Sequence, residues 1–143
     1  MKNLTDIMTR GVRVLSPTDS VAKAAQTMDE LGIGSIPVCN GEKLLGMVTD
    51  RDIALRAVAC GRDSATTTLG DIMTADVKFA FDDQSVDEVL HEMGSSQIRR
   101  LPVIDRGHKL VGIVSLGDIA KKRHDAEVAG SLSEISAAGA TAH

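Results

Sequence analysis

The chain contains one segment twice, and this internal repeat limits the possible folds more than any other feature. Displacing the 143-residue sequence by 65 positions brings the run DIMT at residues 6–9 onto the same run at 71–74. One residue is gained in a later turn, and after it a displacement of 66 brings DIA at 52–54 onto DIA at 118–120. A repeat of this length predicts two copies of one supersecondary unit, which pack together to bury the apolar faces that neither copy could bury alone.

Each copy has the pattern of a helix, two short strands and a further helix. Apolar residues at helical spacing are followed by apolar runs that begin near a proline and continue past a glycine-containing turn. In chain order these segments are 21–31, 36–39 and 44–48 in the first copy, and 86–93, 101–104 and 110–114 in the second. Gly32 should end the first of these helices, and Ser85 with Glu88 should cap the start of its counterpart. The pattern predicts an α+β fold.

The repeat divides the chain into four parts. The first repeat is assigned to residues 1–60, a Thr-rich linker to 61–68, the second repeat to 69–124, and an Ala- and Ser-rich tail to 125–143. Because neither repeat can bury its helix faces well alone, we expect the two to pack around a pseudo-twofold axis as one module. The tail has apolar residues at helical spacing, but its composition fits disorder equally well, so both interpretations remain open.

Charge and hydropathy argue against several classes of protein. The formal net charge is −4, and three acidic residues of the tail account for most of it. The nearly neutral body offers no general attraction to nucleic acid or to an anionic membrane. No run approaches the ~20 apolar residues that span a bilayer, and the N-terminus does not resemble a secretory signal. We therefore expect a cytoplasmic protein that binds neither nucleic acid nor membrane.

Residue types that could carry metal, redox or catalytic chemistry are few and scattered. Cys39 and Cys60 lack a CxxC spacing, and no histidine stands at ligand spacing from them, so free thiols and no metal site are expected. No phosphate-binding glycine loop, nucleophile elbow or Cys–His neighbourhood is found, so we do not expect an enzyme. Phe79 and Phe81 are the only aromatic residues and are expected in the core.

Each strand-to-helix junction places a hydroxyl three residues before a carboxylate, Thr49 before Asp52 and Ser115 before Asp118. One interpretation is a helix cap, in which hydroxyl and carboxylate satisfy the first N–H groups of the helix. The other is that each carboxylate points into a cleft and accepts hydrogen bonds from a vicinal diol, such as the hydroxyls of ribose, beside a helix N-terminus. The residues alone leave both interpretations open.

Arg99 and Arg100 precede the first strand of the second copy, where the first copy has Gly34 and Ser35. The packing of the repeat therefore does not require guanidinium groups at this position. Arginine is well suited to binding phosphate, but adjacent arginines at a strand edge are often only solvated. Anion binding and an ordinary surface are both compatible with the pair.

These motifs together resemble a tandem pair of CBS (cystathionine β-synthase) domains. The resemblance rests on two copies of DIMT, an amphipathic helix, [IL]-P-V, and G-[MI]-V-[TS]-x-x-D-I-A, and it covers residues 4–123. It implies two β-α-β-β-α repeats that form a pseudo-symmetric module with two clefts, commonly assembled as a homodimer. It also implies that the clefts bind adenosyl compounds, namely AMP, ADP, ATP or S-adenosylmethionine, as regulatory ligands and not as cofactors.

The resemblance assigns residues to each cleft by position. The carboxylates of Asp118 and Asp52 would hold ribose hydroxyls, Arg100 with Arg99 would hold phosphate, and backbone groups of the strands at Ile36 and Leu101 would contact the base. The Asp118 cleft would contain Ser115, Thr9, Val12, Gly34 and Ser35, and the Asp52 cleft would contain Thr49, Thr74 and Val77. Because the arginines lie in the second copy, a phosphorylated ligand is expected to prefer the cleft of Asp118 and Arg100.

The leading hypothesis from the sequence is a module that senses an adenosyl ligand and signals to a partner protein whose identity the sequence does not give. Ligand binding across the pair would change how the repeats sit and so change the surface that the partner contacts. The alternative is a dimeric structural protein whose clefts are vestigial and whose [ST]-x-x-D motifs only cap helices.

Overall fold

The computed structural model describes residues 3–96, 98–122 and 124, with Ser96 described by its backbone alone. The first repeat contains a 3-10 helix (Leu4–Asp6), α1 (Val21–Leu31), β1 (Ser35–Asn40), β2 (Lys43–Thr49) and α2 (Asp50–Asp52), which continues as a π-helix (Ile53–Val58). The second repeat contains α3 (Leu69–Ile72), β3 (Ala80–Phe81), α4 (Val86–Ser96), β4 (Arg100–Ile104), β5 (Leu110–Ser115) and a helix over residues 116–122, here α5. The predicted α+β class is confirmed. The tail from residue 125, with its open choice between helix and disorder, lies outside the described residues.

The strands form equivalent hairpins in the two repeats. β1 pairs antiparallel with β2, and β4 pairs antiparallel with β5, so that Ser35 lies opposite Thr49 and Arg100 lies opposite Ser115. β3 adds a parallel strand beside β4. In the first repeat the corresponding segment makes only a parallel bridge at Leu15. The β-α-β-β-α order is therefore complete in the second repeat and reduced at its first strand in the first repeat.

Local capping sets the helix ends as the sequence predicts. Gly32 adopts a left-handed conformation with φ of 65° and ends α1, a conformation that costs glycine little. The Ser85 hydroxyl oxygen accepts the Glu88 N–H at 3.1 Å before α4, and the same hydroxyl donates to the Glu88 carboxylate at 3.2 Å. The first helix N–H groups are thereby satisfied by side chains close in sequence.

The two repeats are joined by reciprocal backbone pairs. Thr74, at the end of the second DIMT run, exchanges both backbone hydrogen bonds with Met47 in β2 at 2.9 Å each. Thr9, at the end of the first DIMT run, pairs in the same way with Ile113 in β5, at 2.8 and 2.9 Å. Each DIMT segment therefore adds to the hairpin of the other repeat, which is the pseudo-twofold relation that the sequence predicts.

The apolar core of each repeat also includes residues from the leading segment of the other repeat. Leu4 and Ile7 pack in the core of the second repeat, whereas Leu69 and Ile72 pack in the core of the first. A smaller cluster of Cys39, Leu44 and Ile104 joins the two hairpins. Phe79 and Phe81, expected in the core, are only partly buried and pack against this cluster. Neither repeat can complete its core without the leading segment of the other. Within the described ranges, no helix combines the length and apolar character needed to cross a membrane.

Candidate ligand-binding site

A cavity of about 380 Å³ lies where the two repeats meet. The first repeat contributes the start of β1 and the edge of β2, and the second contributes the segment after the DIMT run and the start of β4. The lining residues are Ser35, Met47, Thr49, Thr74, Asp76, Val77, Lys78, Ile98, Arg99, Arg100 and Pro102. The cavity combines hydroxyl groups, an apolar wall and several cations, which is the composition of a site for a small polar ligand with an apolar part.

Thr49 and Asp52 form a complete capping box behind this cavity. The Thr49 hydroxyl oxygen accepts the Asp52 N–H, and the Asp52 carboxylate accepts the Thr49 N–H, each at 3.0 Å. The Asp52 carboxylate also accepts the Thr74 hydroxyl at 3.3 and 3.4 Å, and only 9% of Asp52 is exposed. The capping interpretation is therefore correct for this motif, and the same carboxylate also contacts a threonine that lines the cavity.

Arg56 extends the contacts of Asp52 to the other repeat. Its Nε lies 3.8 Å from the Asp52 carboxylate, and its Nη1 donates to the carbonyl oxygens of Ile72 and Met73 at 3.2 Å each. One guanidinium group thus ties the π-helix of the first repeat to the DIMT run of the second. Hydrogen bonds of a charged group to a carboxylate and to helix-terminal carbonyls are among the stronger polar contacts in a protein.

The motif of the second repeat forms only half of this arrangement. The Ser115 hydroxyl oxygen accepts the Asp118 N–H at 3.0 Å. The Asp118 carboxylate is half-buried and has no hydrogen bond or ion pair with any residue in the described part of the chain. Among the described residues, therefore, the Asp118 carboxylate at the start of α5 has no hydrogen-bond donor, whereas the Asp52 carboxylate accepts hydrogen bonds from Thr49 and Thr74.

Arg99 and Arg100 line the cavity that also contains Thr49 and Thr74. Both are exposed, and neither makes an ion pair with any residue that the structure describes. Arg99 also borders a groove of about 440 Å³ together with Leu116, two residues before Asp118. The expectation that the arginine pair serves the Asp118 cleft therefore stays a prediction.

The remaining predicted residues are distributed around both repeats. Ser35, expected in the Asp118 cleft, also lines the cavity beside Asp52. Val12 lines a separate cavity of about 210 Å³ together with Cys39. A Cβ atom on Gly34 would lie 2.9 Å from the Asp50 carboxylate, so a larger residue there would require that carboxylate to move. Predicted base contacts at Ile36 and Leu101 could come only from the backbone, because both side chains are buried in strands.

Several lining residues were not singled out from the sequence. Lys78 and Asp76 flank Val77 in the segment after the second DIMT run, and Met47 and Pro102 belong to the paired strands. Lys78, Arg99 and Arg100 outnumber the single carboxylate of Asp76, so the cavity favours an anionic ligand. The position of Asp76 and Lys78 was the available signal, because the residues two to four places after the repeated Thr fall at equivalent places in both copies.

Metal-ligating side chains are dispersed in the part of the chain that the structure describes, and the two cysteines differ in exposure. No group of three or more His, Cys, Asp or Glu side chains there could hold a metal ion. Cys39 is buried, and desolvation raises the pKa of its thiol, which keeps it in the less reactive protonated form. Cys60 is exposed, and both cysteines are free thiols.

The sequence profile of the CBS domain matches residues 4–58 and 69–125. The chain belongs to the CBS-domain family. A CBS domain-containing protein of Bacillus subtilis, YhcV, is 41% identical over 137 residues, which cover 95% of this chain and 96% of that protein.

Solved structures of the family superpose on the same fold. Hypoxic Response Protein I, crystallised with two coordinated zinc ions, shares 39% identity with a TM-score of 0.77, over 85% of this chain and 99% of that one. The CBS domain pair of MJ0100, crystallised with 5′-methylthioadenosine and S-adenosyl-L-methionine, shares 30% identity with a TM-score of 0.72, over 86% of this chain and 96% of that one. The chain is thus similar over most of its length to complete CBS domain pairs.

Proposed function

We propose that this protein is a regulatory module that binds an adenosyl ligand, preferably a phosphorylated one, in the cavity beside Asp52. The observation that carries the proposal is the composition of that cavity, in which both repeats supply hydroxyl groups and apolar side chains and the second repeat supplies three cations. A ligand that contacts both repeats gains binding energy from each of them. It also shifts the equilibrium toward the arrangement of the repeats that binds it more tightly.

The arrangement of side chains suggests where each part of the ligand would lie. The ribose would take the place of the Thr74 hydroxyl on the Asp52 carboxylate, where the present contact of 3.3 to 3.4 Å is long and therefore weak. Phosphate would lie against Arg99 and Arg100, whose guanidinium groups can bind its oxygens in pairs. The base would fill the apolar part of the cavity, and its edge would contact strand backbone near Leu101. The apolar wall is formed by Met47, Val77, Ile98 and Pro102.

The Asp118 carboxylate, which has no partner in the described part of the chain, supports a second cleft for an adenosyl group without phosphate. Ser115, Thr9, Val12 and Gly34 would accompany it, with backbone contacts near Ile36. The related CBS pair of MJ0100 was crystallised with two adenosyl compounds that carry no phosphate, 5′-methylthioadenosine and S-adenosyl-L-methionine. That precedent supports adenosyl compounds as a class and leaves the choice among them to measurement.

A ligand bound between the two repeats is suited to a regulatory role. The adenosyl compound would act as a regulatory ligand and not as a cofactor, in a cytoplasmic homodimer that catalyses no reaction. The output would be a changed surface presented to a regulated partner protein. Such signalling needs a ligand whose affinity differs between the two arrangements of the repeats.

The test is a calorimetric and thermal-shift titration of the full chain with AMP, ADP, ATP, S-adenosylmethionine, 5′-methylthioadenosine and GTP. A ligand at 100 times its Kd stabilises the folded state by about 2.7 kcal/mol, which is visible as a raised Tm. Arg100→Ala should weaken binding of the phosphorylated ligand and leave 5′-methylthioadenosine unaffected. Arg62→Ala, which removes an exposed arginine from the linker, is the matched control and should change neither.

The second candidate is a structural protein in which the clefts bind nothing. It is favoured by the complete capping box of Asp52, since a carboxylate so engaged already has a role in helix stability. Under this alternative no adenosyl compound raises the Tm of the wild-type chain. Asp52→Ala then lowers stability without any effect on a ligand.

A further inference from the structure

Arg56 does not line the cavity beside Asp52, but it contacts residues next to the lining in both repeats. Its Nε lies 3.8 Å from the Asp52 carboxylate, and its Nη1 donates to the carbonyl oxygens of Ile72 and Met73 at 3.2 Å each. Thr74, the next residue after Met73, is part of the lining. Because a guanidinium group presents its donors in a fixed plane, it can hold these groups at a set distance from one another.

The second repeat has no equivalent of this contact among the residues that the structure describes. The position 66 residues after Arg56 is Lys122, which is exposed and has no hydrogen bond or ion pair within the described ranges. The helix around Arg56 also differs from its counterpart, because Ile53–Val58 is a π-helix, whereas residues 116–122 form an ordinary α-helix. π-helical turns are rare and are found frequently at functional sites. The contact is therefore particular to the first repeat and is not a requirement of the fold.

We propose that Arg56 is a positioning residue for the cavity beside Asp52, whose two walls it holds in the arrangement that binds the ligand. The inference rests on the proposed function, in which the ribose takes the place of the Thr74 hydroxyl on the Asp52 carboxylate. When that hydroxyl is displaced, the link through Arg56 still joins the Asp52 carboxylate to the second DIMT run. The guanidinium group then keeps the two walls together around the ligand.

Loss of this link lowers the affinity by lowering the fraction of molecules that are ready to bind. A ligand that needs both walls binds only the arrangement in which they are close, so its apparent Kd rises as that arrangement becomes less populated. Arg56 contacts protein groups and is not part of the lining, so this effect does not depend on the charge of the ligand. A direct contact between Arg100 and phosphate is different, because salt screens it.

Calorimetric titration of the full chain with AMP at several salt concentrations tests the proposal. Arg56→Gln should weaken AMP about tenfold at every salt concentration, whereas Arg100→Ala should weaken AMP most at low salt. Arg56→Lys should restore less than half of the loss, because an ammonium group lacks the planar set of donors. Lys122→Gln, which changes the equivalent exposed cation of the second repeat, is the matched control and should leave AMP unchanged.

Two results of the titration would overturn the proposal. One is an affinity of Arg56→Gln equal to that of the wild-type chain. The other is a loss in Arg56→Gln that disappears at high salt or is fully restored by Arg56→Lys, because Arg56 would then act through its charge alone.

Hydrogen exchange on the ligand-free chain tests the same positioning without a ligand. The N–H groups of Thr74 and Met47 should exchange about tenfold faster in Arg56→Gln, while those of Thr9 and Ile113 at the other joint should be unchanged. Equal acceleration at both joints would show a general loss of stability and would overturn the positioning role. If the wild-type chain binds no AMP but exchange at Thr74 still rises as expected, the proposed function is wrong and the hold of Arg56 on the joint stands.

Discussion

Thr74 and Met47 belong to different repeats, yet they exchange both backbone hydrogen bonds at 2.9 Å. Thr9 and Ile113 repeat this relation on the other side of the pseudo-twofold axis. These two pairs bring each DIMT run alongside the opposite hairpin and place Thr74 within reach of the Asp52 carboxylate. The joint between the repeats and the candidate binding site are therefore made by the same residues.

The close approach of each DIMT run requires a glycine in the facing strand. A Cβ atom on Gly112 would lie 2.7 Å from the Thr9 carbonyl oxygen, and one on Gly46 would overlap the Thr74 carbonyl oxygen. We predict that Gly46→Ala and Gly112→Ala each lower the free energy of unfolding by about 1–3 kcal/mol or more, measured by urea denaturation. Gly117→Ala is the control, because its Cβ would meet nothing nearer than 3.8 Å. Equal stability of all three variants would contradict the close approach.

The two [ST]-x-x-D carboxylates should differ in their contribution to stability. Asp52 accepts hydrogen bonds from Thr49 and Thr74, whereas Asp118 accepts none from the described residues. We predict that Asp52→Ala lowers the free energy of unfolding by about 1.5–3 kcal/mol, as expected for hydrogen bonds to a charged group. Asp118→Ala should cost less than half as much. If Asp118→Ala lowered the free energy of unfolding of the ligand-free chain more than Asp52→Ala does, the proposed difference between the two carboxylates would be wrong.

The two cysteines should react at very different rates. Cys60 is exposed, whereas Cys39 is buried and desolvation raises the pKa of its thiol. Because the thiolate is the reactive form, an aromatic disulfide reagent at mildly alkaline pH should label one thiol per native chain and two per unfolded chain. Cys60→Ser should abolish the fast reaction. Rapid labelling of Cys39 in the folded protein would contradict its burial.

Asp83 and Arg106 give a predictable response to acid. Both Arg106 nitrogen donors, Nε and Nη2, contact the Asp83 carboxylate at 2.9 Å, and this hydrogen bonding holds the pKa of Asp83 below its ordinary value. A carboxyl whose pKa is lower in the folded state stabilises the fold above its ordinary pKa and loses that contribution as the pH falls through the folded value. Arg106→Ala should raise the pKa of Asp83 in an NMR titration. The change in unfolding free energy should be small, because the pair is exposed.

The sequence predicts the repeated units well because their signals are local. Helical periodicity, the left-handed Gly32 and the hydroxyl caps act within a few residues, and each lies where the pattern places it. The complete capping box of Asp52 also follows from a three-residue spacing. Such features depend on backbone groups that are close in the chain, so the rest of the fold does not override them.

The assignment of side chains to clefts was less predictable, because it depends on which repeat each segment crosses to. Arg99 lies next to the second hairpin in sequence, yet it lines the cavity beside the first repeat's Thr49. Leu4 lies at the start of the first repeat but is buried in the core of the second. Local sequence propensity does not indicate that a segment of one repeat packs against the other repeat. Predicting these contacts would require each residue to be placed according to the pseudo-twofold packing of the repeats.

The central claim is that a phosphorylated adenosyl ligand binds beside Asp52 and that Arg100 holds its phosphate. The most direct measurement is isothermal titration calorimetry with AMP on the wild-type chain, Arg100→Ala and Asp118→Ala, using 5′-methylthioadenosine as the ligand without phosphate. The account predicts that Arg100→Ala weakens AMP by about tenfold or more, as expected for loss of a charge-assisted phosphate contact, and that Asp118→Ala leaves AMP unchanged. AMP binding that survives Arg100→Ala but is lost in Asp118→Ala would contradict it.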